Sequence, residues 1–328
     1  MFRRDSLTFS DFWPLTSDSL PMPLSQTITL GSLRIHALEG GTLRLDGGAM
    51  FGVVPKTLWS KRIVPDEKNR ITLAMRSLLI EHPDGLMLVE TGLGNKEDAK
   101  FKEIYGVDNA GSNGGTRLDD AIAETGHRPE DIRWVVNTHL HFDHAGGNTR
   151  AEMADKAVRA DESGSPGGPL PARLSFPNAS YVVQANELEF ARHTNERTRA
   201  SYLAHNFEPV DQAGRWHELE GETSIVPGVS VKLTPGHVPW HQSVVIQSAG
   251  ETLIYLGDIV PTHHHLPIAW AMGYDLEPLR VLETRRGLLK QAAAEGWLLC
   301  FGHDADVAVG RAVAEERGVG ISEVRRVG

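Results

Sequence analysis

A dense group of metal-ligating side chains occupies residues 137–147, whose sequence is NTHLHFDHAGG. Within six positions it holds His139, His141, Asp143 and His144, and two glycines follow shortly after. Imidazole nitrogens and carboxylate oxygens suit Zn²⁺, Mn²⁺ or Fe²⁺. An isolated histidine is usually a solvated or hydrogen-bonded side chain. That explanation does not account for three histidines, an aspartate and two glycines together, so the stretch predicts a metal site.

Two neighbouring ions fit this stretch better than one ion. Residues two apart in an extended or loop backbone point to the same side, so His139 and His141 can share an ion. Asp143 and His144 follow directly and can face a second position. Four ligands in so short a stretch are too many for one catalytic ion, which keeps a coordination position open.

Three later stretches supply further ligands in a common form, in which an apolar run leads to a glycine and then to the ligand. They are LTPGHVPWH with His237, LIYLGDIV with Asp258 and LLCFGHDA with His303. A glycine before the ligand allows a close backbone approach or an unusual dihedral angle. Each ligand follows a predicted buried strand, and α/β proteins place ligands beyond the carboxyl ends of strands. The chain therefore offers seven ligands.

The elements that must position these ligands alternate along the chain. Residues 28–48 and 71–93 carry short, partly alternating apolar runs typical of strands, and Asp84-Gly85 predicts a tight hairpin. The remaining predicted elements are helices over 96–105, 117–125, 186–193 and 277–295, and strands over 132–140, 180–184, 229–234, 242–248, 252–256 and 297–301. This order predicts two similar β-rich layers flanked by helices within one domain.

Composition indicates a globular protein, and we expect neither nucleic-acid nor membrane partners. The 328 residues carry a net charge of −10 and show no basic stripe, which argues against nucleic acid. No run approaches about 18 consecutive apolar residues, and the N-terminus lacks the apolar core of a signal peptide. We therefore expect a cytoplasmic location. The single cysteine, Cys300, excludes a disulfide framework and a cysteine-rich zinc site.

The chain is expected to divide into an arm and one domain. Residues 1–25 hold three prolines and many serines and threonines, which favours an extended arm. Residues 26–328 would form the single domain, with a loop insertion rich in Gly, Pro and Ser over about 158–178. The arm and the insertion are candidate contacts for a homodimer.

HxHxDH followed in order by Gly-His, Gly-Asp and Gly-His resembles the metallo-β-lactamase fold superfamily of hydrolases. The resemblance covers roughly residues 28–310. It implies an α+β fold, a four-layer αββα sandwich with two mixed sheets packed face to face and helices outside. It also implies two divalent ions per chain, expected to be Zn²⁺, with Mn²⁺, Fe²⁺ or Co²⁺ as alternatives. Its ligand sets are His139, His141 and His237 for the first ion, Asp143, His144 and His303 for the second, and Asp258 as the bridge.

The expected chemistry is hydrolysis. Two ions about 3.5–4 Å apart share a water and lower its pKa, and the resulting hydroxide attacks an ester-type carbonyl or a phosphoryl centre. Asp143, which could move a proton to the leaving group, and the bridging Asp258 are the candidate catalytic residues. Where the family often has Asp-Thr-Gly, this chain has Glu90-Thr91-Gly92. We expect Glu90 to orient a ligating histidine from outside the coordination shell, with a local shift from its extra methylene.

Two segments are candidates for the substrate pocket. Residues 45–55, a Gly-rich loop with Met50 and Phe51, form either an ordinary hairpin plug or an apolar wall of the pocket. Residues 261–278 either cover the sheet edge or contribute substrate contacts. The candidate contacts in this second segment are His263, Trp270 and Tyr274.

These two segments, together with GHVPWHQS (236–243), resemble the quorum-quenching N-acyl-homoserine lactonase branch and the neighbouring methyl-parathion-hydrolase-like branch. The first implies opening of acylated lactones, and the second implies hydrolysis of organophosphate triesters or aryl esters. Many such lactonases have a tyrosine three residues after the bridging aspartate, where this chain has Pro261, so His263 or Tyr274 is a candidate substitute. A lactonase is the expected activity. A non-enzymatic metal-binding protein on the same fold is a third hypothesis, against which the full ligand set argues.

Overall fold

Two seven-stranded sheets form the centre of the molecule in the computed structural model, which describes residues 23–151 and 172–325. The first sheet has the spatial order β1-β2-β3-β4-β5-β8-β9, with strands β1 (Ser25–Leu30), β2 (Leu33–Asp46), β3 (Arg70–Glu81), β4 (Leu86–Val89), β5 (Ile132–Val136), β8 (Ser180–Gln184) and β9 (Trp216–Leu219). A separate small hairpin pairs β6 (Thr149–Ala151) with β7 (Ala172–Leu174).

The second sheet runs in sequence order from β10 to β16. Its strands are β10 (Ser224–Val226), β11 (Val229–Leu233), β12 (Gln242–Ser248), β13 (Glu251–Tyr255), β14 (Leu298–Cys300), β15 (Val309–Glu315) and β16 (Gly318–Arg325). Both sheets are mixed. In the first, β4, β5, β8 and β9 are parallel neighbours. In the second, β13 and β14 are the parallel pair and the other pairings are antiparallel.

Eight α-helices lie in the described ranges: α1 (Gly47–Phe51), α2 (Lys56–Trp59), α3 (Ala99–Ile104), α4 (Arg117–Glu124), α5 (Phe142–Ala145), α6 (Ala185–Arg192), α7 (Glu208–Gln212) and α8 (Pro278–Glu295). The helix α4 begins at a capping box between Thr116 and Asp119, which satisfies free N–H groups of its first turn. The helix α8 ends at Gly296 in the left-handed conformation. No helix of the described residues has the length and apolar character needed to cross a membrane.

The layers follow from how the apolar faces pair. The largest apolar cluster combines side chains of both sheets, including Ile35 and Leu78 of the first with Val244 and Leu253 of the second. The outer face of the first sheet packs against α4, and that of the second packs against α8. A sheet buried on both faces needs such cover from helices. The predicted four-layer αββα sandwich is confirmed.

Several predicted elements need correction or lie outside the description. Within the expected loop 45–55, residues 47–51 form helix α1, which Asp46 caps by accepting the N–H of Ala49. Within the expected insertion, residues 172–174 form β7, while 158–171 lie outside the described residues. Residues 1–22 of the expected arm also lie outside the description, and Ser25 already begins β1. The hairpin of β15 and β16 has no counterpart among the predicted elements.

We expect replacement of glycine by alanine to have opposite effects on stability at two positions. Gly287 lies inside α8 with no atom within 4 Å of a built Cβ, so Gly287→Ala should raise the free energy of unfolding by about 1 kcal/mol. At Gly147 the same Cβ would lie 2.1 Å from the carbonyl oxygen of Thr91, so Gly147→Ala should lower it. Denaturant unfolding of both variants measures the two effects. Destabilisation by Gly287→Ala, or a neutral Gly147→Ala, would contradict the packing described.

Candidate metal centre

The predicted ligands meet at one edge of the sandwich because they follow strands that end there. His139 comes three residues after the end of β5, Asp258 three after β13, and His303 three after β14. Since β4 and β5 are parallel, and β13 and β14 are parallel, their carboxyl ends lie side by side. His237 enters from the connection after β11. This edge is where open sheets of mixed α/β proteins hold ligands.

The structure brings all seven predicted ligands together in two groups. Within each group the donor atoms all lie within 4.8 Å of one another, the groups being His139, His141, His237 and Asp258, and Asp143, His144 and His303. Asp258 faces both groups. Its Oδ2 lies 3.2 Å from Nε2 of His237, and its Oδ1 lies 3.1 Å from Nε2 of His303 and 3.4 Å from Nε2 of His144.

The chemistry of these atoms fits two cations. Nε2 of His139 is buried and has no hydrogen-bond partner among the described residues. Nε2 of His144 faces Nε2 of His303 at 3.0 Å. Buried polar atoms without partners are costly, and a divalent ion between them would satisfy nitrogen and oxygen lone pairs together. The His and Asp clusters are thus suited to a dinuclear site.

The outward-facing nitrogens of three histidines are already held by partners. Nδ1 of His303 donates to the backbone carbonyl of Ala74 at 2.7 Å, and Nδ1 of His237 donates to the carboxylate of Asp275 at 3.0 Å. Nδ1 of His139 is hydrogen-bonded to the hydroxyl of Thr138 at 2.9 Å. In His303 and His237 the donated proton fixes the tautomer and leaves Nε2 free to bind metal.

Glu90 stands just beyond the end of β4, where the sequence places an orienting carboxylate. Its Oε1 accepts the backbone N–H of Thr138 at 2.7 Å, and its Oε2 lies 3.6 Å from Nδ1 of His144. The residue has a φ of +63°, a conformation that costs a non-glycine residue free energy. The carboxylate therefore contacts both the backbone and a histidine of the ligand-rich stretch.

The backbone of that stretch is anchored at alternate N–H groups. Besides the bond from Thr138 to Glu90, the N–H of Leu140 donates to Glu187 at 3.0 Å. The N–H of Phe142 donates to the carbonyl of Ser201 at 2.9 Å. Three separate elements thus fix the path of the loop on which His139 and His141 lie.

Two of the glycines that precede ligands are required by the backbone. Gly236, before His237, has a φ of +138°, and Gly257, before Asp258, has a φ of +56°. These values are unfavourable for residues with a Cβ. A Cβ at Gly257 would also lie 2.6 Å from Nε2 of His241. The unusual dihedral angles and close approach expected from the sequence are both present.

The protonation of the histidines depends on their position relative to the carboxylates. Complete burial lowers the pKa of His139 well below its usual value, and the neighbouring imidazoles lower it further. Burial also opposes protonation of His144, but Asp258, Asp143 and Glu90 together raise its pKa well above the usual value. Burial alone would raise the pKa of Asp258. The neighbouring histidines outweigh burial and hold that pKa well below its usual value. The centre thus holds an ionised carboxylate among imidazoles, as a cation site requires.

Four residues of the site were not predicted from the sequence. His241 accepts the backbone N–H of Asp258 at Nε2, at 3.1 Å, and Asp275 holds His237. Glu187 and Tyr202 support the loop around His141. The segments GHVPWHQS and 261–278 already contain His241 and Asp275, so their polarity was the available indication. No sequence motif indicates a role for Glu187 or Tyr202, since both lie far along the chain from the loop that they contact.

A cavity of about 390 Å³ opens onto the ligand groups. His141, Asp143, His237, Asp258 and His303 line its metal side. The rest of the wall is partly apolar and partly polar, formed by Leu45, Met50, Leu73, Tyr105, Phe142, Arg197, Thr198, Ala200, Ser201, Met272, Gly273, Tyr274 and Leu276. A volume of this size suits a small-molecule ligand.

The candidate pocket residues divide between this cavity and other places. Met50 and Tyr274 line the cavity. Phe51 does not, because its ring is buried in a stack against Trp59 and His265. His263 and Trp270 line a separate surface groove instead.

Both departures from the expected pocket have physical causes. Nδ1 of His263 is held by the carboxylate of Asp304 at 2.5 Å, which turns the ring away from the cavity. The ring of Trp270 packs edge-on against Phe51 and lies 4.6 Å from the guanidinium of Arg62. Of the two candidate substitutes for the absent tyrosine, the structure therefore brings only Tyr274 to the cavity.

Comparison with known proteins agrees with the fold. Residues 76–160 and 165–303 match the sequence profile of the Metallo-beta-lactamase superfamily. An N-acyl homoserine lactonase of Bacillus thuringiensis is 27% identical over 252 residues, covering 72% of this chain and 83% of the relative.

Solved structures show the same fold. A probable metal-dependent hydrolase from Staphylococcus aureus superposes with a TM-score of 0.77 at 29% identity, covering 90% of this chain and 99% of that one. The dizinc quorum-quenching lactonase AidC, in complex with a product, superposes with a TM-score of 0.70 at 21% identity, covering 91% and 97% of the two chains. The profile match spans more than half of the sequence, and the chain belongs to the metallo-beta-lactamase superfamily.

Proposed function

We propose that this protein is a dinuclear metal-dependent hydrolase that opens N-acyl-homoserine lactones or related lactones. The observation that carries the proposal is the pair of ligand groups at the end of a cavity with a partly apolar wall. The relative from Bacillus thuringiensis named above is an N-acyl homoserine lactonase, and AidC is a dizinc lactonase. Zn²⁺ is therefore the proposed metal at both positions.

Each ligand group has an assigned ion in this proposal. His139, His141 and His237 would hold the first ion, Asp143, His144 and His303 would hold the second, and Asp258 would serve as a ligand to both. The two oxygens of Asp258 support this division, because one faces His237 and the other faces His144 and His303. Glu90 and Asp275 hold their histidines in place from outside.

The cavity wall suits a substrate with an apolar chain and an ester group. Leu45, Met50 and Leu73 form part of the apolar surface on which an acyl chain can pack. Polar groups of the same wall, among them Tyr105 and Tyr274, lie where they can bond to an amide or ester oxygen. This combination favours an acylated lactone over a small polar ester.

The reaction needs an activated water, a polarised carbonyl and a proton donor. When bound, two divalent ions would lower the pKa of a water and polarise the ester carbonyl. Asp143 faces the cavity and can take the proton that the attacking water loses and carry it to the alkoxide oxygen as the ester C–O bond breaks. The hydroxyl of Tyr274 can donate a hydrogen bond to the carbonyl oxygen as negative charge develops there.

Tyr274 is proposed for this role because Pro261 cannot fill it. Pro261 is buried, lacks a donor, and accepts the backbone N–H of His303 at 3.0 Å. Burial raises the pKa of Tyr274 to about 12, so its hydroxyl keeps its proton at neutral pH and remains a donor. The side chain is 38% exposed, which leaves it accessible to a ligand.

Hydrolysis of organophosphate triesters or aryl esters is the second candidate function. Pro261 leaves this candidate open, because the tyrosine common in the lactonases is absent at that position and the same activated water could attack phosphorus. A non-enzymatic metal-binding protein is disfavoured, since the cavity and all seven ligands are present.

A substrate panel distinguishes the two candidate functions. The zinc-loaded protein should have its highest kcat/KM on N-acyl-homoserine lactones, with longer acyl chains favoured by the apolar wall. The comparison uses lactones of several chain lengths, a paraoxon-type triester and an aryl acetate under one set of conditions. A phosphotriester preferred by orders of magnitude would reverse the ranking, and turnover of none of them by the metal-loaded protein would remove the hydrolase proposal.

His237→Ala tests the assignment of the first ion. The variant should lose one metal equivalent and more than about 100-fold of kcat/KM, beyond the loss typical of an outer partner. Metal analysis of the dialysed protein measures the first effect, and lactone hydrolysis measures the second. His193→Ala is the matched control, because that imidazole is 72% exposed on the surface and should leave both unchanged. Retention of two ions and full activity by His237→Ala would refute the assignment.

Tyr274→Phe tests the proposed donor. The variant should lose about 100-fold in kcat with little change in KM, the lower range for one oxyanion-stabilising group. Tyr105→Phe removes the other tyrosine hydroxyl of the same cavity and should have a smaller effect. Unchanged kcat in Tyr274→Phe would exclude this role, and a larger loss in Tyr105→Phe would move it to Tyr105.

A further inference from the structure

Glu187 is a fully buried carboxylate beside the ligand-rich stretch and belongs to neither ligand group. It lies in the first turn of α6, with a side chain 0% exposed to solvent. Its Oε2 has no hydrogen-bond partner among the described residues. Burial of a carboxylate is costly unless its hydrogen bonds are strong. The contacts of the other oxygen show where such bonds are made.

Oε1 of Glu187 accepts two hydrogen bonds that converge on one ligand. The first comes from the N–H of Leu140, at 3.0 Å, which lies between His139 and His141 in the chain. The second comes from the hydroxyl of Tyr202, at 2.8 Å. The ring of Tyr202 packs edge-to-face on the imidazole of His141, with centroids 4.7 Å apart. One oxygen thus fixes both the backbone before His141 and the ring beside it.

His141 needs this support more than the other histidines of its group. His139 is hydrogen-bonded to Thr138, and His237 donates to Asp275. For His141 the described residues supply a nitrogen contact only to another ligand, Nε2 of His237 at 3.2 Å. Its orientation therefore depends on the path of the loop and on the ring of Tyr202. Both of these are held by Glu187.

We propose that Glu187 is a positioning residue for the first ion, acting on His141 through Leu140 and Tyr202. The inference rests on the two-ion centre of the proposed function. Glu187 contacts the ligand-rich stretch at Leu140, which lies between two first-ion ligands and precedes the second-ion ligands Asp143 and His144 in the chain. Loss of the carboxylate should therefore weaken binding of the first ion and leave binding of the second unchanged. A residue that served only the general stability of the fold would not separate the two.

Zinc titration of the apoprotein against a competing chelator tests the proposal without using catalysis. Glu187→Ala should lower the zinc affinity of the first position by about 10- to 100-fold, the usual cost of losing an outer partner. The affinity of the second position should stay near the parent value. Glu187→Gln keeps an acceptor oxygen for both donors and should recover most of the loss. A parent protein that failed to bind two ions would instead contradict the proposed function, so the two failures are distinguishable.

Leu188→Ala is the matched control on the same helix. Leu188 is 0% exposed and packs in one apolar cluster with Leu140 and Tyr202, so its truncation loosens the same region. It should lower the unfolding temperature of the apoprotein while leaving first-ion affinity near the parent value. Should Glu187→Ala fail to fold, Tyr202→Phe removes one of the two hydrogen bonds and should weaken the first ion a few-fold.

Three results would overturn the proposal. The first is parent affinity for both ions in Glu187→Ala, or in Tyr202→Phe where that variant replaces it. The second is an equal loss in Glu187→Gln and Glu187→Ala, because glutamine preserves the accepted hydrogen bonds. The third is a loss of first-ion affinity in Leu188→Ala as large as that in Glu187→Ala, which would show general loosening of the region.

Discussion

The crowding of buried imidazoles and carboxylates at one sheet edge is the constraint on which the rest of the structure depends. Nε2 of His144 and Nε2 of His303 face each other at 3.0 Å, and an oxygen of Asp258 lies against both. Without positive charge between them, these lone pairs repel one another and have lost their hydration. Divalent cations remove both penalties, so metal binding and stability of this edge are expected to be coupled.

The fold meets this constraint with rigid parts. Two pairs of parallel strands end at the same edge and deliver ligands from both sheets. Glycines at 236 and 257 let the backbone turn in conformations that other residues avoid. A ring of acceptors, among them Glu90, Glu187 and Asp275, then fixes the loop and the imidazoles. Precise ligand positions come from these outer contacts as much as from the ligands.

The sequence predicted the parts of this site that are local and left out those that are not. HxHxDH and the three glycine-ligand pairs are short motifs with a chemical meaning, so all seven ligands could be named. The fold class followed from the order of strands and helices and from the resemblance that these motifs carry. Glu187 and Tyr202 could not be predicted, because their contacts with the loop join residues 47 and 61 positions apart in the chain, which only the packing of α6 and the following loop brings together.

The pocket residues show a second limit of prediction from sequence, because some residues of suitable type do not reach the cavity. Met50 and Tyr274 reach the cavity, whereas His263 and Trp270 come from the same segment as Tyr274 and do not. Their types suited a substrate contact, but Asp304 and Arg62 hold them in a different place. Which side of a loop faces a cavity is decided by such partners, and a single sequence does not show them.

Anomalous diffraction at the zinc absorption edge tests the central claim most directly. Crystals of the zinc-loaded protein should show two peaks, one beside His237 and one beside His303, with the carboxylate of Asp258 reaching both. A single peak would contradict the dinuclear centre, and peaks away from these residues would contradict the assigned ligands.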